Sequence, residues 1–474
     1  GTLPIIEPYI SLQSSNYEKL AASGLLAKDL EGRPYVIEDF WAGPAGLIDI
    51  FEPRAQDFVW ERVQALMEQG AAGVWSDLIE PENHPSGLRH RPGLAATVHN
   101  LYPLVWSGLL YDRFRRSYPE RRWFNLVRSG HLGMQRYATF PWTGDVSRTW
   151  SGLQAQPKAI LGAGLSGLAY LHSDLGGFTG ASHDEELYLR WVQFGVFSPI
   201  MRIHGNTEEY EPEPIFHDAR TQDLVKQAIQ LRYQLYPYLN TLAWETHLKA
   251  WPWLRPTFFH YPSDSNTFEL DAQYLFGQDL MVVPVLAPDL PAVTVYLPAG
   301  EWYDFFNGEK YQGGHWYRMP VSEDHLPVFA RAGSIIPQGR MGRNLKAWRA
   351  DTLKWTCYLP ASKLESTHGH AYLDDGFSFG AKEAGAYRYI AWRGDWEKQK
   401  LWLRLLIEGT GYLGEPAVVH HQLRIKGLSS SPKYIKYGRQ KLKEAAWRWQ
   451  RGELIIDLDL GMTEAELQVV FRKS

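Results

Sequence analysis

The sequence predicts an α/β protein, a (β/α)8 barrel followed by two C-terminal β-sandwich domains, and a change of pattern near residue 245 carries that expectation. Before it, short apolar runs alternate with stretches of helical period, as strand–helix units around a parallel sheet require. After it, short apolar strands are separated by glycine, proline and aspartate turns, which is all-β material. The expected divisions are residues 1–244 for the barrel, 245–338 for a proximal β domain and 339–474 for a distal one.

In chain order, Leu3 to Ile6, Ala72 to Trp75, Phe124 to Val127, Ala138 to Phe140 and Leu168 to Leu171 read as strands. Pro53 to Glu68 reads as a helix, because Ala55, Val59, Val63, Leu66 and Met67 keep helical spacing behind a proline suited to a first turn. Leu224, Ala228, Leu231 and Leu235 repeat that spacing before Pro237. In the β half, Leu280 to Val285, Val293 to Leu297, Val328-Phe329 and Ser334 to Ile336 are strands, then Leu401 to Ile407 and Leu454 to Leu458 beyond a connector, Gln338 to Asn344.

Composition removes several functions. With 49 Lys plus Arg against 53 Asp plus Glu, the net charge of -4 offers no general attraction for nucleic acid or anionic membranes. The longest nearly apolar stretch, Ala159 to Leu171, is far shorter than the ~18 residues of a membrane span. Cys357 is the sole cysteine, so neither an internal disulfide nor a multi-cysteine metal cage forms. The 20 tryptophans and 26 tyrosines are unusual; flat rings with polar edges suit sugars, although most belong in cores.

Barrel enzymes place their chemistry at the C-terminal ends of strands, so a carboxylate directly after an apolar run is the feature to seek. Asp77, Asp145 and Asp174 fit, each within a few residues of a tryptophan, a histidine or a glycine pair. On spacing alone each is as readily a helix N-cap or turn residue. Two such groups are what glycoside cleavage needs, one as nucleophile or base and one as proton donor. Arg128, Arg202 and His204 stand at other strand or loop ends; by residue type alone they read as salt bridges and a satisfied core histidine.

These residues resemble glycoside hydrolase family 31, the α-glucosidase-type retaining enzymes, along essentially the whole chain. Gly73 to Pro81 resembles the nucleophile motif and Trp142-Thr143-Gly144-Asp145 the acid/base motif. Arg128-Ser129, His172 to Phe178 and Pro199 to His204 match pocket segments in the same order, and Gly277 to Val285, Tyr296 to Asp304 and Pro327 to Pro337 resemble the proximal β domain. The resemblance implies Asp77 as nucleophile, Asp145 as acid/base, and Trp75, Arg128, Trp142, Asp174, Phe178 and His204 as substrate-binding residues.

Leu78-Ile79 and Val146 depart from the usual motifs, and Asp77 to Pro85 is closer to a bacterial subgroup that includes 4-α-glucosyltransferases. The expected substrate is therefore an α-1,4-linked gluco-oligosaccharide whose glucosyl unit passes to another sugar. Hydrolytic α-glucosidase and α-xylosidase are alternatives, as is, in another class, a non-catalytic carbohydrate-binding protein. The resemblance implies a periplasmic or extracellular setting. It also aligns Leu3 to Ile10 with the family's third barrel strand, so a preceding β domain and two strands are expected from a companion polypeptide or a segment absent here.

No metal or cofactor is expected. Gly162 to Gly167 fits the G-x-G-x-x-G dinucleotide fingerprint, but the strand expected at Leu168 to Leu171 follows where a helix is needed. His368-Gly369-His370 and His420-His421 lack zinc-site spacing and read as turn or surface residues.

Overall fold

The computed structural model describes residues 1–180, 183–206, 211–342, 344 and 348–472; Arg343 of the connector falls outside them. The chain forms two compact units, residues 1–144 with 166–172, and residues 145–165 with 173–474.

The first unit is built on four parallel strands, β1 (Ile5–Ile6), β2 (Val74–Ser76), β3 (Asn125–Val127) and β4 (Thr139–Pro141), in that spatial order. One register line crosses them: Ile6 pairs with Ser76, Ser76 with Val127 and Val127 with Pro141. A further parallel bridge, Trp142 to His172, continues the ladder. Helix α1 (Pro53–Glu68) has the expected bounds, with Pro53 in its first turn and Ala55, Val59, Trp60, Val63 and Met67 buried. Helix α2 (Tyr102–Ser117) buries Trp106, Leu110 and Phe114 in the same core.

The second unit opens with helix α3 (Trp150–Leu165), then strand β5 (Asp174–Leu175) pairs in parallel with β6 (Arg202–Ile203). Between those strands lies α4 (Glu185–Val196), buried almost throughout, and α5 (Ala219–Gln234) and α6 (Tyr236–Lys249) follow. A six-stranded antiparallel sheet then runs from Leu254–Arg255 to Val328–Arg331, and its core includes Met281, Val295, Trp302 and Phe329. Finally, a five-stranded and a six-stranded sheet enclose a core of Trp355, Trp392, Leu403, Leu423 and Ile456, a sandwich whose strands alternate buried and outward residues. Strand Ile335–Gly339 is the first of it, pairing with Thr352–Tyr358.

Two expectations are corrected, the strand at Leu168 to Leu171 and the turn or surface setting of the histidine pairs. Leu168 to Leu171 is a turn, and only the adjoining His172 makes a bridge; four apolar residues after a glycine do not by themselves distinguish a strand from a packed turn. The dinucleotide fingerprint, set aside on the sequence, has Gly162 and Gly164 inside α3 and not in a loop that could cradle a phosphate. His368 to His370 and His420-His421 occupy strands Thr367–Leu373 and Val418–Lys426. His421 is fully buried, accepts a hydrogen bond from Trp355 Nε1 at 3.1 Å, and is held neutral by burial, its pKa lowered to about 4.

Gly73 leads into β2 so close to its neighbour that a Cβ there would stand 2.2 Å from the Phe124 carbonyl oxygen. Gly73→Ala must push strands apart, and a loss of about 1–3 kcal/mol is expected, the usual range for overpacking. A lowered urea midpoint with unchanged slope checks it.

Candidate active site

Strand alternation decides which side chains meet. In β2, Ser76 faces the helix layer: Trp106 Nε1 of α2 donates to its hydroxyl at 3.0 Å, and that hydroxyl donates to Asn125 Oδ1 at 2.7 Å. Trp75 and Asp77 therefore project to the opposite face. The residue one step past the register line on each strand shares that face, giving the row Glu7, Asp77, Arg128, Trp142. Backbone bonds fix the row, Asp77 N to the Ile6 carbonyl at 3.0 Å and Arg128 N to that of Ser76 at 3.1 Å. The Trp75 and Trp142 rings meet edge to face at 5.8 Å.

Arg128 organises this end. Its Nε donates to Glu80 Oε1 at 2.7 Å and lies 3.4 Å from Asp77 Oδ1, while an Nη donates to Glu82 Oε2 at 2.8 Å. Burial works against the charged guanidinium, yet Glu80, Asp77 and Glu82 outweigh it and its pKa rises. Burial raises Glu80, with Arg128 opposing. Glu7 is likewise raised, first by burial and then by the charge of Asp77. Behind Asp77, Leu78 takes a left-handed conformation, φ 55°, which is unfavourable for a residue with a Cβ. Its amide donates to Asp77 Oδ1 at 2.8 Å, and its side chain and that of Ile79 are buried.

The second unit repeats the device. Trp191 of α4 donates from Nε1 to Ser173 Oγ at 2.9 Å, so Ser173 faces the helix and Asp174 the other side. Asp174 is fully buried and ion-paired with Arg202, its register partner on β6. The segment after Asp145 is bonded to the loop beyond Asp174: Phe178 N donates to the Val146 carbonyl at 2.7 Å and Arg148 N to that of Thr179 at 2.7 Å. Arg148, buried at 3% exposure, donates to the carbonyls of Gly177, Phe178 and Gly180. The Phe178 ring lies 5.4 Å from that of His204. Asp145 itself is exposed.

Of the sequence-derived residues, then, Trp75, Asp77, Arg128 and Trp142 come together in the first unit. In the second, Asp174, Phe178 and His204 gather with the segment that begins at Asp145. Glu7, Glu80, Glu82 and Arg148 were missed as participants. The rule that selected Asp77, a carboxylate after an apolar run, also selects Glu7 behind Ile5-Ile6; nothing in the spacing marks Arg148. Trp41, 73% exposed beside the Phe40 ring, is a further aromatic that composition alone does not single out. Among the described residues, no cluster of three or more His, Cys, Asp or Glu has the geometry of a metal site.

Two outcomes are expected. Arg128→Lys forfeits the fork between Glu80 and Glu82, and should cost about 1–3 kcal/mol, the range for hydrogen bonds to charged groups; denaturant unfolding measures it. Burial, then Arg202, lowers the pKa of His204 from 6.5 to about 4. In that window the unfolded chain binds a proton that the folded chain does not, so stability falls as pH drops through it. His204→Gln should flatten that slope in a series of melts against pH.

The sequence profile described as the glycosyl hydrolases family 31 TIM-barrel domain matches residues 1–242, and that of the glycosyl hydrolase family 31 C-terminal domain matches residues 250–336. An alpha-xylosidase of Saccharolobus solfataricus is 31% identical over 79% of this chain and 51% of its own length. Alpha-glucosidase 2 of Bacillus thermoamyloliquefaciens is 30% identical, over 72% of this chain and 45% of its own. The chain spans about half the length of these curated relatives. A Flavobacterium johnsoniae dextranase, solved with glucose, superposes with a TM-score of 0.92 at 27% identity, covering 99% of this chain and 62% of that one. These matches bear out the β/α barrel followed by C-terminal β domains, and with the barrel profile extending over half of its residues the chain belongs to glycosyl hydrolase family 31.

Proposed function

We propose that the chain carries out retaining cleavage at the non-reducing end of α-linked gluco-oligosaccharides, with Asp77 as nucleophile and Asp145 as acid/base. The observation that carries this reading is the placement of Asp77: a carboxylate one residue past a barrel strand, beside Arg128 and a tryptophan pair, in a family 31 chain. An ionised nucleophile suits a neighbouring guanidinium. Relatives named alpha-glucosidase and alpha-xylosidase support the α-glycoside class.

In this mechanism Asp77 attacks the anomeric carbon while protonated Asp145 gives its proton to the leaving oxygen, forming a β-linked glycosyl-enzyme through an oxocarbenium-like transition state. The charge of Asp77 then disappears into the ester, Asp145 ionises, and as a base it activates the incoming hydroxyl, which restores the α configuration. Retention requires carboxyl groups about 5 to 5.5 Å apart. Trp75, Trp142 and Phe178 supply apolar faces to the pyranose, and Arg128, Asp174 and His204 bond its hydroxyls. The barrel spans residues 1–244 in this reading and the proximal β domain starts at 245; the expected 338/339 division falls inside strand Ile335–Gly339, with which the distal domain begins. The acceptor is another sugar, on the likeness of Asp77 to Pro85 to the transferase subgroup. Both steps share the glycosyl-enzyme, so hydrolysis and transfer differ only in what reaches it second.

Asp145→Asn should lower turnover of natural oligosaccharides by about 10²–10⁴-fold yet still be glycosylated by a substrate whose leaving group needs no proton, whereas Asp77→Asn loses both activities. Equal losses on the two substrates for Asp145→Asn would remove it from the acid/base role. Incubation with maltotriose should yield maltotetraose and maltose ahead of glucose, because an acceptor site gives a bound hydroxyl the advantage over water. One glucose per bond broken from the first time point would make the enzyme a hydrolase.

A further inference from the structure

Beyond the residues given a part in the reaction, the first unit contains a continuous chain of histidines ending on a carboxylate. Asp49 Oδ1 lies 3.1 Å from His90 Nδ1, His90 Nε2 lies 2.8 Å from His84 Nε2, and His84 Nδ1 lies 2.9 Å from His99 Nδ1. The His90 side chain is fully buried and that of Asp49 is 10% exposed. Asp49 also accepts from the amides of Arg91 at 2.7 Å and Phe51 at 3.3 Å, so it is committed as an acceptor.

Proton counting shows what this chain tolerates. An ionised carboxylate only accepts, so His90 Nδ1 must carry a hydrogen; each nitrogen–nitrogen contact then needs one hydrogen, not two and not none. Three neutral rings satisfy this in one way, with protons on His90 Nδ1, His84 Nε2 and His99 Nδ1. One extra proton is also accommodated: it enters at His99 Nε2, both contacts reverse direction, and the charge settles on His90 beside Asp49. A second extra proton puts two N–H groups face to face and breaks a contact.

His84 closes the segment that starts at the nucleophile. Between them, Glu80 and Glu82 hold Arg128, and the Asn83 backbone is bonded in both directions to the Tyr9 hydroxyl, at 2.8 and 3.0 Å. We propose that His84, clamped through His90 to Asp49 and through its other nitrogen to His99, is a positioning residue for the nucleophile segment 77–84, and that the clamp opens when the chain takes a second proton. This rests on the glycosidase reading of Asp77. The other polar and charged groups around the chain are Tyr102, whose hydroxyl donates to the Ile48 carbonyl, Tyr9 on Asn83, and Arg91 at 3.9 Å from Glu52. His84 has its pKa lowered to about 3, by burial first and then by His90 and His99, in keeping with a middle ring that stays neutral.

Ring-nitrogen NMR of the full chain with labelled histidine, assigned with His84→Asn, His90→Asn and His99→Asn, tests the clamp without reference to turnover. On acidification, His84 and His99 should exchange tautomers together at one pH; three independent titrations would overturn the chain. Hydrogen exchange of amides 78–84 should accelerate where the second proton enters, and unchanged protection there would overturn the positioning role. In kinetics, His99→Asn keeps a partner that can donate or accept but not ionise, so the acid limb of kcat/KM should move down by about one pH unit or more relative to its own plateau. His84→Ala should lower kcat with little change in KM; a loss confined to KM would argue against positioning. Failure of wild type to act on any α-glucoside would sink the glycosidase reading alone, since the tautomer and exchange results stand apart from it.

Discussion

The Arg128 guanidinium is what allows several carboxylates to crowd one end of the first unit's sheet. Asp77, Glu80 and Glu82 lie within ion-pair reach of it, and Glu7 feels its charge. Without that cation, neighbouring carboxylates sharing a half-buried site would drive one another to protonate. The arrangement also orders backbone: Glu80 and Glu82 belong to the segment after Asp77, so one side chain both sets the charge state and fixes the turn. The left-handed Leu78 is held within that segment by burial on one side and these ion pairs on the other.

Tryptophans play separate parts. Trp106 and Trp191 never reach the site face; each sends an indole N–H to a serine, Ser76 or Ser173, that precedes a key aspartate. These bonds fix which strand face looks toward the helices and so, by alternation, which looks away. Trp75 and Trp142 stand on the opposite face, where their rings pack edge to face against each other. Other tryptophans, Trp302, Trp355 and Trp392 among them, fill the cores of the β domains.

Much of this was readable in advance, for identifiable reasons. Helix α1 has a proline start and a clean apolar stripe, and its bounds match. Asp77 and Arg128 stand out because they end apolar runs, a local signal. The turn at Leu168 to Leu171 and the buried His421 were misread because apolarity does not report direction, and because a histidine's burial depends on a partner, Trp355, 66 residues away. Arg148 was invisible for the same reason: its worth lies in three carbonyls presented by a loop some 30 residues on. The histidine chain likewise joins positions that no short window contains.

The common register line across β1 to β4 restricts how this region can change over evolutionary time. Replacing a residue on these strands alters one contact, but inserting or deleting one upstream of Glu7, Asp77, Arg128 or Trp142 turns that strand's functional side chain toward the helices and its helix-facing partner toward the site. Length can therefore change without inverting these faces only past the row, in the loops that follow it. The row is in that sense a boundary one residue wide: indel-intolerant before it, free in length beyond it.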